Sequence, residues 1–389
     1  MKAKKRVSLL LAFCLMLSLA SVGVQAAPEY NLGGVTVTTL LFGGLIDLFE
    51  SPEMLDRRAD VEKQFNVKIV YEEVPWDGYQ EAVMRRVLSG DSEWDFYRVR
   101  INELHELVWQ DALLPLDPHM PDYVKNKIPE FSQQFMNLTY SGDSRFGFLG
   151  GALDLIDMIK YIGYNKDMFE AEGLPDPYEL YRAGEWTWEA FTDIALVLTA
   201  DTTGDDTIDR WAIDMIYDED LVLSNDGRYV REIDGRYVFT GDELAVVEAL
   251  VQNDEWRSQG FFRGWGPEAF RDQSIGMMFL EMWRLREHTN PNTGTWGIDF
   301  NLGIVPFPKG PSTERNIYPT GNAMFYSLPS NSANPEAMIA LIDALYPAEE
   351  LLIEAEEAFM EWAPSKEAFG VLLESVVEWD GSLETFGKL

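Results

Sequence analysis

Twelve tryptophans carry most of the binding chemistry legible in this chain. Most stand near predicted loops or at the ends of predicted elements. An indole or phenol face stacks on a flat apolar surface, and a neighbouring Asp, Asn, Arg or Glu hydrogen-bonds the hydroxyls around it. Trp283 directly follows an apolar strand. Trp76 and Tyr79 follow another predicted strand at its carboxyl end, and Arg100 and Asn102 follow a third. Asp154 is an acid held between Leu153 and Leu155, in a Gly-rich, apolar stretch that reads as a crossing between two halves of the molecule. Trp265 sits in Arg263-Gly264-Trp265-Gly266, and Trp362 closes the last predicted helix. Ordinary packing is the alternative role for each of these. Trp186 and Trp188, at a helix start, are assigned to packing outright.

A second constellation is acidic. Asp201, Thr203, Asp205 and Asp209 place oxygens at the first, third, fifth and ninth positions of a calcium-type loop. The sixth position holds Asp206 in place of glycine, and the twelfth holds Ala212 in place of glutamate. The competing reading is an Asx-rich turn between a helix and a strand.

Signals for enzymatic chemistry are sparse. The three histidines, His105, His119 and His288, form no HExxH pair, and there is no G-x-S-x-G elbow. Gly43-Gly44 and Gly150-Gly151 are lone pairs, not phosphate-cradling loops. The single cysteine, Cys14, lies in the first apolar run, which leaves no disulfide framework, thiolate metal site or cysteine nucleophile beyond it. With 66 Asp and Glu, some carboxylate pair is always available to flank a glycosidic bond, so counting alone leaves glycoside hydrolysis open.

Alternating strands and helices must position these residues. Val35 to Phe42 reads as a strand, Pro52 to Phe65 as a helix, Val67 to Val74 as a strand, Asp77 to Leu88 as a helix, Trp94 to Val99 as a strand and Glu103 to Trp109 as a helix. Strands separated by such helices pair in parallel with right-handed crossovers, and ligands bind beyond their carboxyl ends. Ile159 to Tyr164 is a further strand, Thr187 caps a helix running to Leu198, and the repeated DGRYV reads as a hairpin. Asp242 to Trp256 is helical, Leu302 to Val305 is a short strand leading into Pro306-Phe307-Pro308, and two helices follow, to Tyr346 and to Trp362.

Residues 1–26 read as a secretory signal peptide: a basic start (Lys2, Lys4, Lys5, Arg6), an apolar run from Val7 to Val22, and a cut ahead of Ala27. The run is shorter than the ~20 apolar residues a membrane span needs. Phe13 before Cys14 does not suit a lipoprotein cut. The expectation is an extracytoplasmic protein without a lipid anchor, in the periplasm or at the cell surface, working where ATP and reduced nicotinamide are absent. The net charge is −35, and losing the basic leader makes it more negative. Acids spread along the chain, with 13% aromatic residues, describe a folded acidic protein that repels nucleic acid and anionic lipid.

Several stretches, in order, resemble the extracellular solute-binding proteins of ABC importers, in the sugar-binding family that includes maltose-binding protein. They are FNVKIVYEEV (Phe65 to Val74), LSGDSEWDFY (Leu88 to Tyr97), DALLPLD (Asp111 to Asp117), YNKDMFEAEGL (Tyr164 to Leu174), GEWTWEAFTDIALVLT (Gly184 to Thr199), GMMFLEMW (Gly276 to Trp283) and LGIVPFPKGP (Leu302 to Pro311). Glu93-Trp94 stands where the family usually has Pro, and Ala112 departs from its turn pattern. Family chains also usually run further past the last helices, so the closing segment is expected to be short or missing.

The resemblance implies an α/β, two-lobed periplasmic-binding-protein-like fold (type II) with a hinge between the lobes. The expected division is residues 28–150 with about 302–346 in lobe 1, and 151–301 with about 347–389 in lobe 2. It implies capture of a sugar or oligosaccharide by hinge closure, delivery to ABC permease subunits, and no chemistry on the ligand. The expected state is a monomer without a cofactor, calcium at the Asp-rich loop being the exception, since some family members carry it there. Trp283 falls where the family places a stacking tryptophan. A receptor feeding a membrane sensor is the alternative, and a secreted glycoside hydrolase the more distant one.

Overall fold

The computed structural model describes residues 30–42, 49–126, 136–150, 159–233, 236–289, 297–321, 323–347 and 351–377. Strand β1 (Val35–Phe42) pairs in parallel with β2 (Val67–Val74), Val35 opposite Val67, and helix α1 (Pro52–Phe65) connects them. Local chemistry sets both ends of α1. The Ser51 side chain accepts a hydrogen bond from the Met54 N–H, Pro52 occupies the first turn, and Asn66 ends the helix in the left-handed region. Helix α2 (Tyr79–Ser89) buries Tyr79, Val83 and Val87, one face at helical spacing, and stops at Gly90, also left-handed. Strand β3 (Tyr97–Arg100) leads into α3 (Ile101–Trp109). A parallel bridge from Thr38 to Asp95 joins β3's segment to β1. The expected parallel, helix-connected arrangement is therefore what forms.

The second sheet uses β4 (Lys160–Asn165), β5 (Trp211–Ile213), β8 (Ile275–Glu281) and β9 (Leu302–Val305), in the order β9-β4-β8-β5. Strand β8 is parallel to β5 and antiparallel to β4. Its last residue, Glu281, therefore lies opposite Lys160 at the start of β4. Helix α4 (Trp188–Leu198), with Thr187 accepting from the Ala190 N–H, packs behind this sheet, as does α6 (Leu244–Ser258). Between them come β5, α5 (Asp218–Ser224) and the predicted hairpin, β6 (Val230–Ile233) against β7 (Arg236–Phe239). Trp186 and Trp188 are buried in this core, and Trp186 Nε1 donates to the Pro306 carbonyl at 2.8 Å, which fits the packing role read from the sequence.

Two passages of the chain between the sheets, one before β4 and one before the strand Met324–Ser327, lie side by side. Phe148 bridges Tyr326 in the first sheet, while Ile159 bridges Thr320 and the Lys160 N–H donates to the Pro319 carbonyl at 2.9 Å. After α7 (Met282–Thr289), β9 still belongs to the second sheet, and β10 (Met324–Ser327) rejoins the first, antiparallel to β3. Helix α8 (Pro335–Leu345) then packs near α1. After α9 (Leu351–Trp362), helix α10 (Lys366–Val377) binds the second-sheet side. There Ser375 meets the Tyr161 hydroxyl at 2.6 Å, and Glu374 takes Arg182 and the Tyr181 hydroxyl. Among the described residues, no helix is long and apolar enough to cross a membrane.

Candidate functional site

Two of the tryptophans singled out in the sequence come together around one arginine. Strand β8 is a continuous buried apolar run, and α7 begins directly after it. That geometry lifts Trp283 and Arg284 to the carboxyl end of the sheet. Arg284 is fully buried, with its guanidinium carbon 3.8 Å from the ring centre of Trp265, 5.1 Å from that of Trp283 and 5.6 Å from that of Phe279. The stacking on Trp265 is a close cation–π contact in a site largely shielded from water. Trp265 is nonetheless 53% exposed, so the indole face away from Arg284 is open. Trp283 is half-buried, and its Nε1 donates to Glu281 at 2.8 Å.

The loop carrying Trp265 is held against the end of β5. The Arg263 N–H donates to the Ile213 carbonyl at 3.1 Å, and the Gly264 N–H to the Asp214 carbonyl at 2.8 Å. Gly264 adopts φ +95°, a region that penalises any Cβ, which explains the glycine beside the tryptophan.

Two carboxylates face the arginine beneath this aromatic pair. Arg284 donates to the Phe279 carbonyl at 3.2 Å and faces Asp214 at 3.9 Å and Glu281 at 3.8 Å. Asp214 is fully buried; its other oxygen accepts the Phe279 N–H at 2.8 Å. Burial pushes its carboxyl up to about 6, against the opposing pull of that N–H and of Arg284. Next to it, Lys160 and Asp220 form a second buried pair at 2.7 Å, and the Lys160 ammonium lies 5.8 Å from the ring centre of Tyr217 and 5.6 Å from that of Phe279. The exposed Tyr217 packs edge-on against Phe279, and burial of its hydroxyl raises its pKa.

A smaller cluster forms at the carboxyl ends of β2 and β3. Trp76 is 48% exposed and lies under the Arg100 guanidinium, 5.1 Å from ring centre to Cζ. Arg100 also pairs with Glu103 and reaches Gln80 at 3.5 Å, and Asn102 is exposed beside it.

Other expected site residues fall elsewhere. Tyr79 is 4% exposed, and its hydroxyl donates to the Leu40 and Arg98 carbonyls at 3.1 and 2.7 Å, stitching α2 to the sheet instead of facing a ligand. Trp362 is buried within the larger core. Asp154 lies outside the described residues.

The Asp-rich loop forms a turn closed by its own carboxylates. Asp201 directs its carboxylate inward, accepting from the N–H groups of Thr203, Gly204 and Asp206 at 3.0, 2.7 and 2.6 Å. Asp209 accepts from Thr202, and Asp205 from the Thr207 N–H. With those oxygens turned to backbone donors, no metal-holding group of three His, Cys, Asp or Glu occurs among the described residues. A groove of about 570 Å³ beside this loop, lined by Asp167, Glu172, Arg210 and Gln273, lies at the other end of the second sheet from Trp283.

Arg284, Asp214, Glu281, Lys160, Asp220 and Tyr217 were not among the residues expected from sequence. A signal existed for three of them. Asp214 in Ala-Ile-Asp-Met-Ile, Lys160 in Met-Ile-Lys-Tyr-Ile and Arg284 in Met-Trp-Arg-Leu are charges set in apolar runs. The same criterion selected Asp154.

Two α/β sheets joined by several passages of the chain, with aromatic and paired polar groups at strand carboxyl ends, define the two-lobed periplasmic-binding-protein fold. Solved structures share it. The GacH receptor of Streptomyces glaucescens, studied unliganded and with acarbose, matches with a TM-score of 0.62 at 15% identity, over 91% of this chain and 89% of that one. The substrate-binding protein Lmo0181 of Listeria monocytogenes, solved with cycloalternan, matches at 0.62 and 14%, over 90% and 88%. The sugar-binding protein MalE of Xanthomonas citri matches at 0.62 and 16%, over 91% and 87%. No individually curated protein matches the sequence. The chain belongs to the bacterial extracellular solute-binding protein family, whose pattern it matches over residues 52–350.

Proposed function

We propose that this protein is an extracytoplasmic receptor that captures a sugar or oligosaccharide between two lobes and delivers it to the permease subunits of an ABC importer. The observation that carries this reading is the pair Trp265 and Trp283, gathered around Arg284 at the carboxyl end of β8. Partly exposed indole faces suit the apolar faces of pyranose rings, and Glu281 and Tyr217 supply polar edges for hydroxyls. Trp76, Arg100 and Asn102 form the opposing wall in this proposal, one wall from each lobe. In this proposal the lobes divide where the chain passes between the two sheets. Hinge closure brings the walls together, and the ligand stabilises the closed state by contacting both. The receptor acts as a monomer after removal of residues 1–26 and performs no chemistry on its ligand.

The test is a titration of intrinsic tryptophan fluorescence with mono- and oligosaccharides, with product analysis on the same samples. A saturable change at micromolar sugar, without turnover, is expected. A folded protein that answers to no sugar overturns the carbohydrate reading, and sugar cleavage overturns the receptor reading.

A further inference from the structure

We infer that Arg284, held by Asp214, is the positioning residue that sets Trp265 and Trp283 as one stacking platform. Any affinity consequence rests on the carbohydrate reading above; the geometry does not.

The argument begins with cost. A guanidinium and a carboxylate both fully removed from water, and 3.9 Å apart, are held beyond good hydrogen-bonding distance. A buried pair of this kind is a weak source of stability, and apolar residues of similar volume often serve as well or better. Its retention at this sheet end therefore points to a positional role.

The contacts supply one. Trp265 comes from the loop after β5, and Trp283 from the start of α7. No hydrogen bond of the Trp265 indole fixes its plane among the contacts described. The guanidinium stacked at 3.8 Å does, since a planar cation over an aromatic face fixes both distance and tilt. The same guanidinium faces Glu281 at 3.8 Å, and Glu281 also accepts a hydrogen bond from the Trp283 Nε1–H. Asp214 lies at the end of β5, where its own carbonyl holds Gly264, the residue before Trp265. One Asp–Arg unit thus ties together the loop bearing Trp265 and the helix start bearing Trp283. Arg284 presents no exposed surface to a ligand; it acts through the indoles.

The test uses the mature full-length protein and the double variant Asp214→Asn/Arg284→Met, which removes both charges together so that no uncompensated ion stays buried. The ligand is the oligosaccharide that saturates the wild-type fluorescence titration. The double variant is expected to bind it at least tenfold more weakly. In a Trp265→Ala background the same two substitutions are expected to cost less affinity than in the wild type, because only Trp283 is left for them to position. Arg284→Lys, which keeps charge but not the planar stack, is expected to fall with the double variant. Near-UV circular dichroism of the unliganded proteins gives a readout that needs no sugar. The tryptophan signal removed by Trp265→Phe should be largely removed by the double variant as well. A folded double variant with wild-type affinity, or an equal loss with and without Trp265, overturns the inference. If the wild-type protein binds no sugar, the carbohydrate reading fails, and the near-UV comparison alone decides the platform: an unchanged Trp265 signal overturns it.

Discussion

At the residue scale, Trp283 and Tyr79 separate two fates for an aromatic at a strand end. Trp283 is partly exposed beside Arg284, whereas Tyr79 donates its hydroxyl to two main-chain carbonyls inside the first sheet's core. Trp283→Ala is expected to weaken sugar binding about tenfold to a hundredfold, roughly 1.4–2.8 kcal/mol, with little change in the urea midpoint. Tyr79→Phe is expected to do the reverse: it costs about 1–2 kcal/mol of stability and leaves affinity within twofold. Titration and urea unfolding of both variants check the pair. Asp214 gives a second prediction. Its folded-state carboxyl sits at about 6, above the ordinary 3.8, so between those values the folded protein holds more protons than the unfolded chain. Its contribution to stability is therefore most favourable below about 4 and declines as pH rises through about 6. Glu281 and Arg284 face the same cluster and remain in the comparison. Subtracting the unfolding free energy of Asp214→Asn from that of the wild type across pH 4–8 should expose that slope; a flat difference contradicts it.

At the element scale, the antiparallel seam of β4 and β9 depends on a close approach. Gly303 lies opposite Tyr164, and a Cβ placed there meets the Tyr164 ring at 2.1 Å. The Tyr164 hydroxyl is bonded to Asp176, so the ring has little freedom to retreat. Gly303→Ala is expected to destabilise by about 1–3 kcal/mol through overpacking, seen as a lowered melting temperature. The turn at residues 201–209 gives the opposite kind of prediction. Its carboxylates already accept backbone N–H groups; at Asp201 desolvation is the largest single effect, but the hydrogen bonds together outweigh it, and the pKa of both Asp201 and Asp209 is lowered. Chelation with EDTA or addition of millimolar calcium should leave the melting temperature unchanged; a calcium-dependent rise contradicts the turn assignment.

At the scale of the whole molecule, charge dominates. A net charge of −35 over 389 residues means self-repulsion that folding must overcome. The Debye length is about 10 Å at 0.1 M salt. Raising sodium chloride from 10 to about 300 mM is therefore expected to increase the melting temperature by several degrees, because screening relieves repulsion more than it weakens surface pairs. A falling melting temperature over that range, followed by differential scanning fluorimetry, contradicts it. The same charge suits a receptor for neutral solutes better than one for anions.

Local pattern alone determined the elements of the first sheet. Val35–Phe42, Pro52–Phe65 and Val67–Val74 were legible because β-branched runs, the Ser51 cap and 3.6-residue spacing are properties of adjacent residues. Tryptophan positions were equally plain, and so was the family-like order of segments. Which tryptophans share a site was not. Trp265 and Trp283 are eighteen positions apart on different elements, and only the parallel pairing of β5 with β8 makes them neighbours. Arg284 and Asp214 form a pair for the same reason: their strands end side by side, and neither residue carries a sign of its partner. The inward turn of the Asp201 carboxylate was likewise undecidable from spacing, because oxygens at calcium-loop intervals serve an Asx turn equally well. Sequence neighbours decide secondary structure and capping. Strand order decides which distant side chains meet, and the function of this fold lies in that meeting.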